Sequence, residues 1–156
     1  MAVTTIYLAG PLFGLAEQEF NQRLTEALVG ERSGLVVILP QDRAKDLLPK
    51  ENGVELVFRD CLDTIDRSDA VLAILDGADA DSGTCIELGY AYARGKPIVG
   101  VRTDFRASED RGLNLMVSHI CAHLLTGPVS DTRTLARRIL PIIDHVLLRG
   151  AQASYS

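Results

Sequence analysis

At 156 residues, 47% hydrophobic and 24% charged, the chain has the length and mix of one globular domain with a sizeable core. Its 21 acidic and 16 basic residues leave a formal net charge of -5, which argues against a nucleic-acid polymer as partner but not against an uncharged nucleoside. No apolar run is long enough to span a bilayer, Met1-Ala2-Val3-Thr4-Thr5 lacks the features of a signal peptide, and the scattered Cys61, Cys85 and Cys121 read as reduced thiols, so a soluble cytoplasmic protein that engages no membrane is expected.

Apolar runs of strand length alternate with segments of helical period. Residues 5–9 read as a first strand ended by Gly10-Pro11, and 16–28 as a helix with Phe20, Leu24, Ala27 and Leu28 on one face. A second strand over 35–39 is closed by Pro40. A second helix over 54–67 places Val54, Val57, Phe58, Cys61, Leu62 and Ile65 at helical spacing. The continuous apolar run 70–75 predicts a strand buried on both faces. A third helix over 84–94 ends at Gly95 and Pro97, and 98–101 is a fourth strand. Residues 102–112 read as a polar loop, 120–125 as a fifth strand, and 131–148 as a last helix capped by Ser130 or Asp131 and kinked at Pro141.

This alternation predicts an α/β fold: a parallel sheet of about five strands with helices on both faces, one domain over 1–150 and a short tail over 151–156. Ligands in such sheets bind beyond the carboxyl ends of the strands. The loops there are Gly10 to Phe13, Pro40 to Asp42, Asp76 to Gly83, and Arg102 onward.

The third of these loops carries the most chemistry. Asp76, Asp79 and Asp81 follow a strand and precede a helix, and Glu87 is expected in that helix's first turn, where the dipole favours an ionised carboxylate. A fixed carboxylate can attack an electrophilic sugar carbon, and a second carboxyl can manage the proton of the leaving group. The spacing has a structural reading too. Thr84-Cys85-Ile86-Glu87 fits a capping box, Asp81 a turn or N-cap, Asp76 and Asp79 solvated loop positions, and Gly83 and Gly89 close packing of helix on sheet.

Four separated segments together resemble the nucleoside 2-deoxyribosyltransferase family. These are Ile6-Tyr7-Leu8-Ala9-Gly10-Pro11, Ser68-Asp69-Ala70-Val71-Leu72-Ala73, Asp81-Ser82-Gly83-Thr84 with Glu87-Leu88-Gly89-Tyr90-Ala91, and Asn114-Leu115-Met116, in the family's order. The resemblance implies a flavodoxin-like fold and a two-step exchange of bases on 2-deoxyribose, with deoxynucleosides and free nucleobases as substrates. It makes Glu87 the nucleophile, Asp81 the acid that helps bind the nucleoside and manage the base proton, and Tyr7 the phenol that orients Glu87. Gly10 and Gly83 fall in the matched loops as substrate-contacting positions. Asn114 and Met116 match residues that reach the sugar from a neighbouring subunit, which implies a homo-oligomer. Outside the resemblance, Tyr7 and Met116 also read as core side chains and Asn114 as a turn residue.

The sequence departs from the family on the second helix. Members usually carry Asp or Asn eight residues before the aspartate that matches Asp69; here the residue is Cys61, flanked by Asp60. A thiol is a weak hydrogen-bonding group for a base, so Asp60 and Asp63 stand beside Cys61 as candidates for base binding. Three rival functions have sequence arguments. A deoxynucleotide N-glycosidase needs a phosphate pocket, and Gly10-Pro11-Leu12-Phe13-Gly14 has no Ser, Arg or Lys. A phosphoribohydrolase is echoed by Ser82-Gly83-Thr84-Cys85-Ile86-Glu87, without the preceding glycine-rich loop. A nucleoside-sensing module would keep the pocket without needing an ionised Glu87. No cofactor or metal is expected: there is no phosphate loop or dinucleotide fingerprint, and His119, Cys121 and His123, alternating as on a strand, lack further ligands.

Overall fold

The apolar runs of strand length become five strands, whose ladders pair the backbone polar groups that burial would otherwise leave unsatisfied. In a computed structural model, residues 3–104 and 113–153 are described. The strands β1 (Thr4–Ala9), β2 (Leu35–Ile38), β3 (Ala70–Ile74), β4 (Ile98–Arg102) and β5 (His123–Thr126) lie in the order β2-β1-β3-β4-β5. Every neighbouring pair is parallel. This is the flavodoxin-like doubly wound order, whose switch point lies between β1 and β3.

Alternation along the strands sends side chains to two cores. Ile6, Leu8, Leu72, Ile74, Val99 and Val101 pack with α1 (Leu15–Glu31) and α6 (Thr132–Ala153). Tyr7, Ala9, Val71, Ala73, Leu75 and Ile98 face the other way, against α3 (Gly53–Arg67), α4 (Ser82–Ala93) and α5 (Leu115–Ile120). All five residues of β3 are buried, as a central strand covered by helices on both faces requires. Each fully buried aliphatic side chain there contributes roughly 1.5–3 kcal/mol of transfer free energy. At the end of β1, a Cβ on Gly10 would lie 3.0 Å from the Cβ of Ile74, so a larger residue would push β1 and β3 apart at the switch point.

Three local expectations change. Pro40 does not simply close β2; it opens α2 (Pro40–Leu47), since a proline at the first helical position gives up only an N–H that the helix leaves unpaired anyway. The expected strand over 120–125 is observed as the shorter β5, three residues later, and Ile120 instead ends α5. His119 is therefore on a helix, and its alternation with Cys121 and His123 is not that of a strand. The cause is Asn114, whose Oδ1 accepts from the backbone N–H of Met116 and Val117 and so starts a helix in a stretch with an apolar, strand-like composition. Finally, α6 runs through Pro141 and continues to Ala153, beyond the expected end of the last helix, and the rest of the expected tail lies outside the described residues. Among the described residues no helix is long and apolar enough to cross a membrane.

Candidate active site

Parallel pairing puts the ends of β1 and β3 side by side, and α4 leaves from the loop after β3 on the face that Tyr7 occupies. Asp81 is the N-cap of α4. Its Oδ2 accepts from the Thr84 backbone N–H at 2.8 Å and from the Thr84 hydroxyl at 3.1 Å. With Asp81 rather than Thr84 as cap, Glu87 falls in the second turn of α4 and the expected Thr84–Glu87 capping box does not form. Glu87 is thereby moved from the dipole-rich first turn to a place where its side chain projects toward β1.

There it meets Tyr7. The phenol, wholly buried on β1, donates a 2.5 Å hydrogen bond to Glu87 Oε1, at the short end of the range for hydroxyls bonded to carboxylates. The thiol of Cys61, from α3, is close enough to both groups to influence their protonation. Burial pushes the Glu87 pKa up to about 7; the hydrogen bonds from Tyr7 and Cys61 pull it down, and the charge of Asp81 raises it. The sequence-based expectation of a carboxylate ionised by the helix dipole is thus corrected. Desolvation governs Glu87, with two hydroxyl- and thiol-type donors opposing it. Burial, with the Glu87 charge next in weight, keeps Tyr7 a protonated donor, and burial raises the Cys61 thiol as well.

The other expected residues divide. Gly83 belongs to the cap, since a Cβ there would sit 3.1 Å from Asp81 Oδ2. Asp60 is held in a bidentate ion pair with Arg43 of α2, which keeps its carboxyl below the usual range. Asp63 is exposed on α3. Of the three, Cys61 is the one whose influence reaches Tyr7 and Glu87. Asn114 uses its Oδ1 to cap α5, while Leu115 and Met116 beside it are 64% and 69% exposed, which removes the core reading of Met116.

Several supports were not visible in the sequence. Asp76, read as a solvated loop residue, accepts from Thr103 N (2.6 Å), Thr103 Oγ1 (2.7 Å) and Asp104 N (2.8 Å), tying the loop after β3 to the one after β4. The buried Arg102 donates to the carbonyls of Leu75 and Gly77 across the same gap. Under the first loop, Asn21 donates to Pro11 O and to Gln41 Oε1, and Gln41 donates to Gln18 O. The signal that could have found these is the position of Asp76 and Gln41 directly beyond strand ends; nothing marked Asn21.

The family model for nucleoside 2-deoxyribosyltransferases matches residues 6–116, from β1 through the start of α5. The chain belongs to this family. The family's members are enzymes of glycosyl transfer or hydrolysis that act on nucleosides and nucleobases. Among solved structures, a conserved protein from Enterococcus faecalis is 28% identical with a TM-score of 0.70, covering 90% of this chain and 99% of that one. A 2-deoxyribosyltransferase from Bacillus psychrosaccharolyticus shares the fold at 23% identity and TM-score 0.67, covering 90% of this chain and 96% of that one. A CMP N-glycosidase from Clostridium botulinum shares it at 20% identity and TM-score 0.54, over 87% and 98%. A Schizosaccharomyces pombe protein of uncharacterised function is 34% identical over 112 residues, 67% of this chain; the chain spans about half (52%) of that relative's length.

The raised Glu87 pKa has a consequence for stability. Between the ordinary 4.5 and about 7 the folded state binds a proton that the unfolded state has released, so stability falls as pH rises through this window and levels off above it. Glu87→Gln cannot ionise and escapes this loss. Urea unfolding should therefore show the variant gaining on the native protein between pH 5 and pH 8, by of order 3 kcal/mol at most. An equal difference at both pH values would show that Glu87 is not desolvated.

Proposed function

We propose that the chain exchanges the nucleobase of 2'-deoxyribonucleosides through a covalent deoxyribosyl-Glu87 intermediate. The observation that carries the reading is the Glu87 carboxylate held by Tyr7 at the sheet's switch point, beside Asp81. Its pKa of about 7 leaves a large fraction ionised near neutrality without strong hydration, the condition for a carboxylate nucleophile.

In the first step a Glu87 oxygen attacks the anomeric carbon as the carbon–nitrogen bond breaks. The bond's electrons pass to the base, which takes up a proton. Asp81 Oδ2 is committed to Thr84, and its Oδ1 has no partner among the described residues, so it is the atom available to position the base and its proton. The transition state has oxocarbenium character, which the adjacent carboxylate stabilises. In the second step a nitrogen of the incoming base attacks the same carbon, the ester bond to Glu87 breaks, and the base loses a proton. Water in place of that base gives hydrolysis. Cys61 lies beside the nucleophile, and base selection falls to it together with the Gly10 loop and the surroundings of Asp81.

Purified protein given deoxyinosine and adenine should form deoxyadenosine, resolved by chromatography. Glu87→Ala should abolish it, by at least about a thousandfold. For the native enzyme, kcat/KM for the donor should climb with pH and level off above about 7, as Glu87 ionises. Hypoxanthine released without deoxyadenosine would assign a hydrolase instead. No reaction with purine or pyrimidine pairs would leave a binding module.

The same reading makes the enzyme a homo-oligomer, with Asn114 and Met116 contributed to a neighbour's site. Supporting it, Val54, Phe58 and Ile86 on α3 and α4 are exposed apolar side chains, as are Leu115 and Met116. Met116→Asp should yield a smaller species in sedimentation velocity, with exchange activity lost in parallel. A fully active monomer would contradict the shared site.

A further inference from the structure

The chain's three histidines, distant from one another in sequence and on three elements or their flanks, line one crevice. His119 ends α5, His123 begins β5 and His145 lies late on α6, with Arg149 one turn further on. The crevice has a volume of about 520 Å³ and lies at the amino ends of β4 and β5, where Ile98 and His123 begin their strands. It is thus at the end of the sheet opposite to the loops that carry Asp81 and the Gly10 turn. A ligand of drug or cofactor size fits that volume.

Its chemistry is unlike the rest of the surface. The chain has 21 acidic residues, yet no Asp or Glu lines this crevice. His119 Nδ1 lies 2.9 Å from the carbonyl of Leu115, which in the neutral ring places the proton on Nδ1 and leaves Nε2 uncommitted. The side chains of His123, His145 and Arg149 have no hydrogen bond or ion pair among the described residues. Lys96 also lines the wall; its ammonium donates to the carbonyls of Asp66 and Ser68, which fixes a positive charge there. Five nitrogen-bearing side chains thus line the crevice and no carboxylate does; of the five, Lys96 is balanced in part by Asp66 behind the wall. Such a set does not suit a metal, which would repel the two cations, and no metal-holding group of ligands occurs among the described residues. It suits an anion that accepts several hydrogen bonds.

The remaining wall is apolar. Ile98, Ile120 and Val146 form it, and the ring of Tyr92, 62% exposed, stands at the edge. A bare inorganic anion makes no use of such a wall. We propose that this crevice is a second binding site, distinct from the Glu87 site, for an organic phosphate with a flat ring. A nucleoside 5'-monophosphate is the simplest ligand of that kind: its ring lies against Tyr92 and the aliphatic wall, and its phosphate against Arg149 and the imidazoles.

Because no histidine lies elsewhere in the chain, imidazole resonances report on this crevice alone. The test is a titration of the full-length Glu87→Gln protein, which cannot turn the ligand over, with deoxyadenosine 5'-monophosphate followed by histidine NMR. Saturable shifts of the imidazole signals are expected, with inorganic phosphate and deoxyadenosine each binding at least about tenfold more weakly. Arg149→Gln combined with His145→Gln, both exposed on α6, should weaken binding at least about tenfold, whereas Tyr7→Phe should leave it unchanged. Still imidazole signals at millimolar ligand, or shifts indifferent to the α6 substitutions, would overturn the site. Equal affinity for inorganic phosphate would overturn the organic ligand, and equal affinity for the nucleoside would overturn the phosphate. Failure of the exchange reaction would not alter these signals, so the two readings stand or fall separately.

Discussion

A carboxylate that is to attack a sugar carbon must be shielded from water, and shielding opposes its charge. Under the proposed function, the 2.5 Å hydrogen bond from Tyr7 to Glu87 is where this protein meets that conflict, and the rest of the site is arranged around it. Tyr7 must sit on a central strand to be wholly buried, and that strand must neighbour β3 so that α4 can bring Glu87 over it. Any change in strand order would separate the two. Cys61 approaches from α3, so three elements remote in sequence converge on one carboxylate. The result is a group poised near pH 7 by competition between desolvation and hydrogen bonding, rather than one held ionised by a helix terminus.

The loops that frame the site are fixed by polar contacts at the carboxyl ends of the strands. Asp76 gathers two backbone N–H groups and a hydroxyl from the loop after β4, and Arg102 returns hydrogen bonds to the loop after β3. Asn21 and Gln41 do the same beneath the first loop. Buried polar groups of this kind are costly unless satisfied, and when satisfied they define one geometry. One oxygen of Asp81 caps α4 and so fixes the start of the helix that carries Glu87; under the proposed function the other is left for substrate.

Most of the fold was legible because it rests on burial. The unbroken apolar run of β3 and the helical stripe of α1 follow from which faces need covering, and the alternation of strands and helices gives a parallel sheet. What escaped depended on single side chains that redirect the backbone. Pro40 reads as a stop but acts as a start, and Asn114, through two hydrogen bonds, starts a short helix ahead of the last strand. In the site, the sequence motif identified Glu87, Asp81 and Tyr7 as members, and the Tyr7–Glu87 bond brings two of them together. The sequence could not show that the cap lies at Asp81, three residues earlier than a Thr84 box, and this displacement changes what governs the Glu87 charge. Nor could it tell Asp60, Cys61 and Asp63 apart. That choice depends on the presence of Arg43, which occupies Asp60, and on the helical rotation that sends Asp63 to solvent.

The most direct test of the account is mass spectrometry of the protein quenched in acid while it turns over a deoxynucleoside with no acceptor base. The account predicts a deoxyribosyl adduct that maps to the peptide carrying Glu87, disappears on adding a free base, and is absent from Glu87→Gln. An enzyme that exchanges bases with no adduct at any quench time, or with one on a different residue, would contradict it.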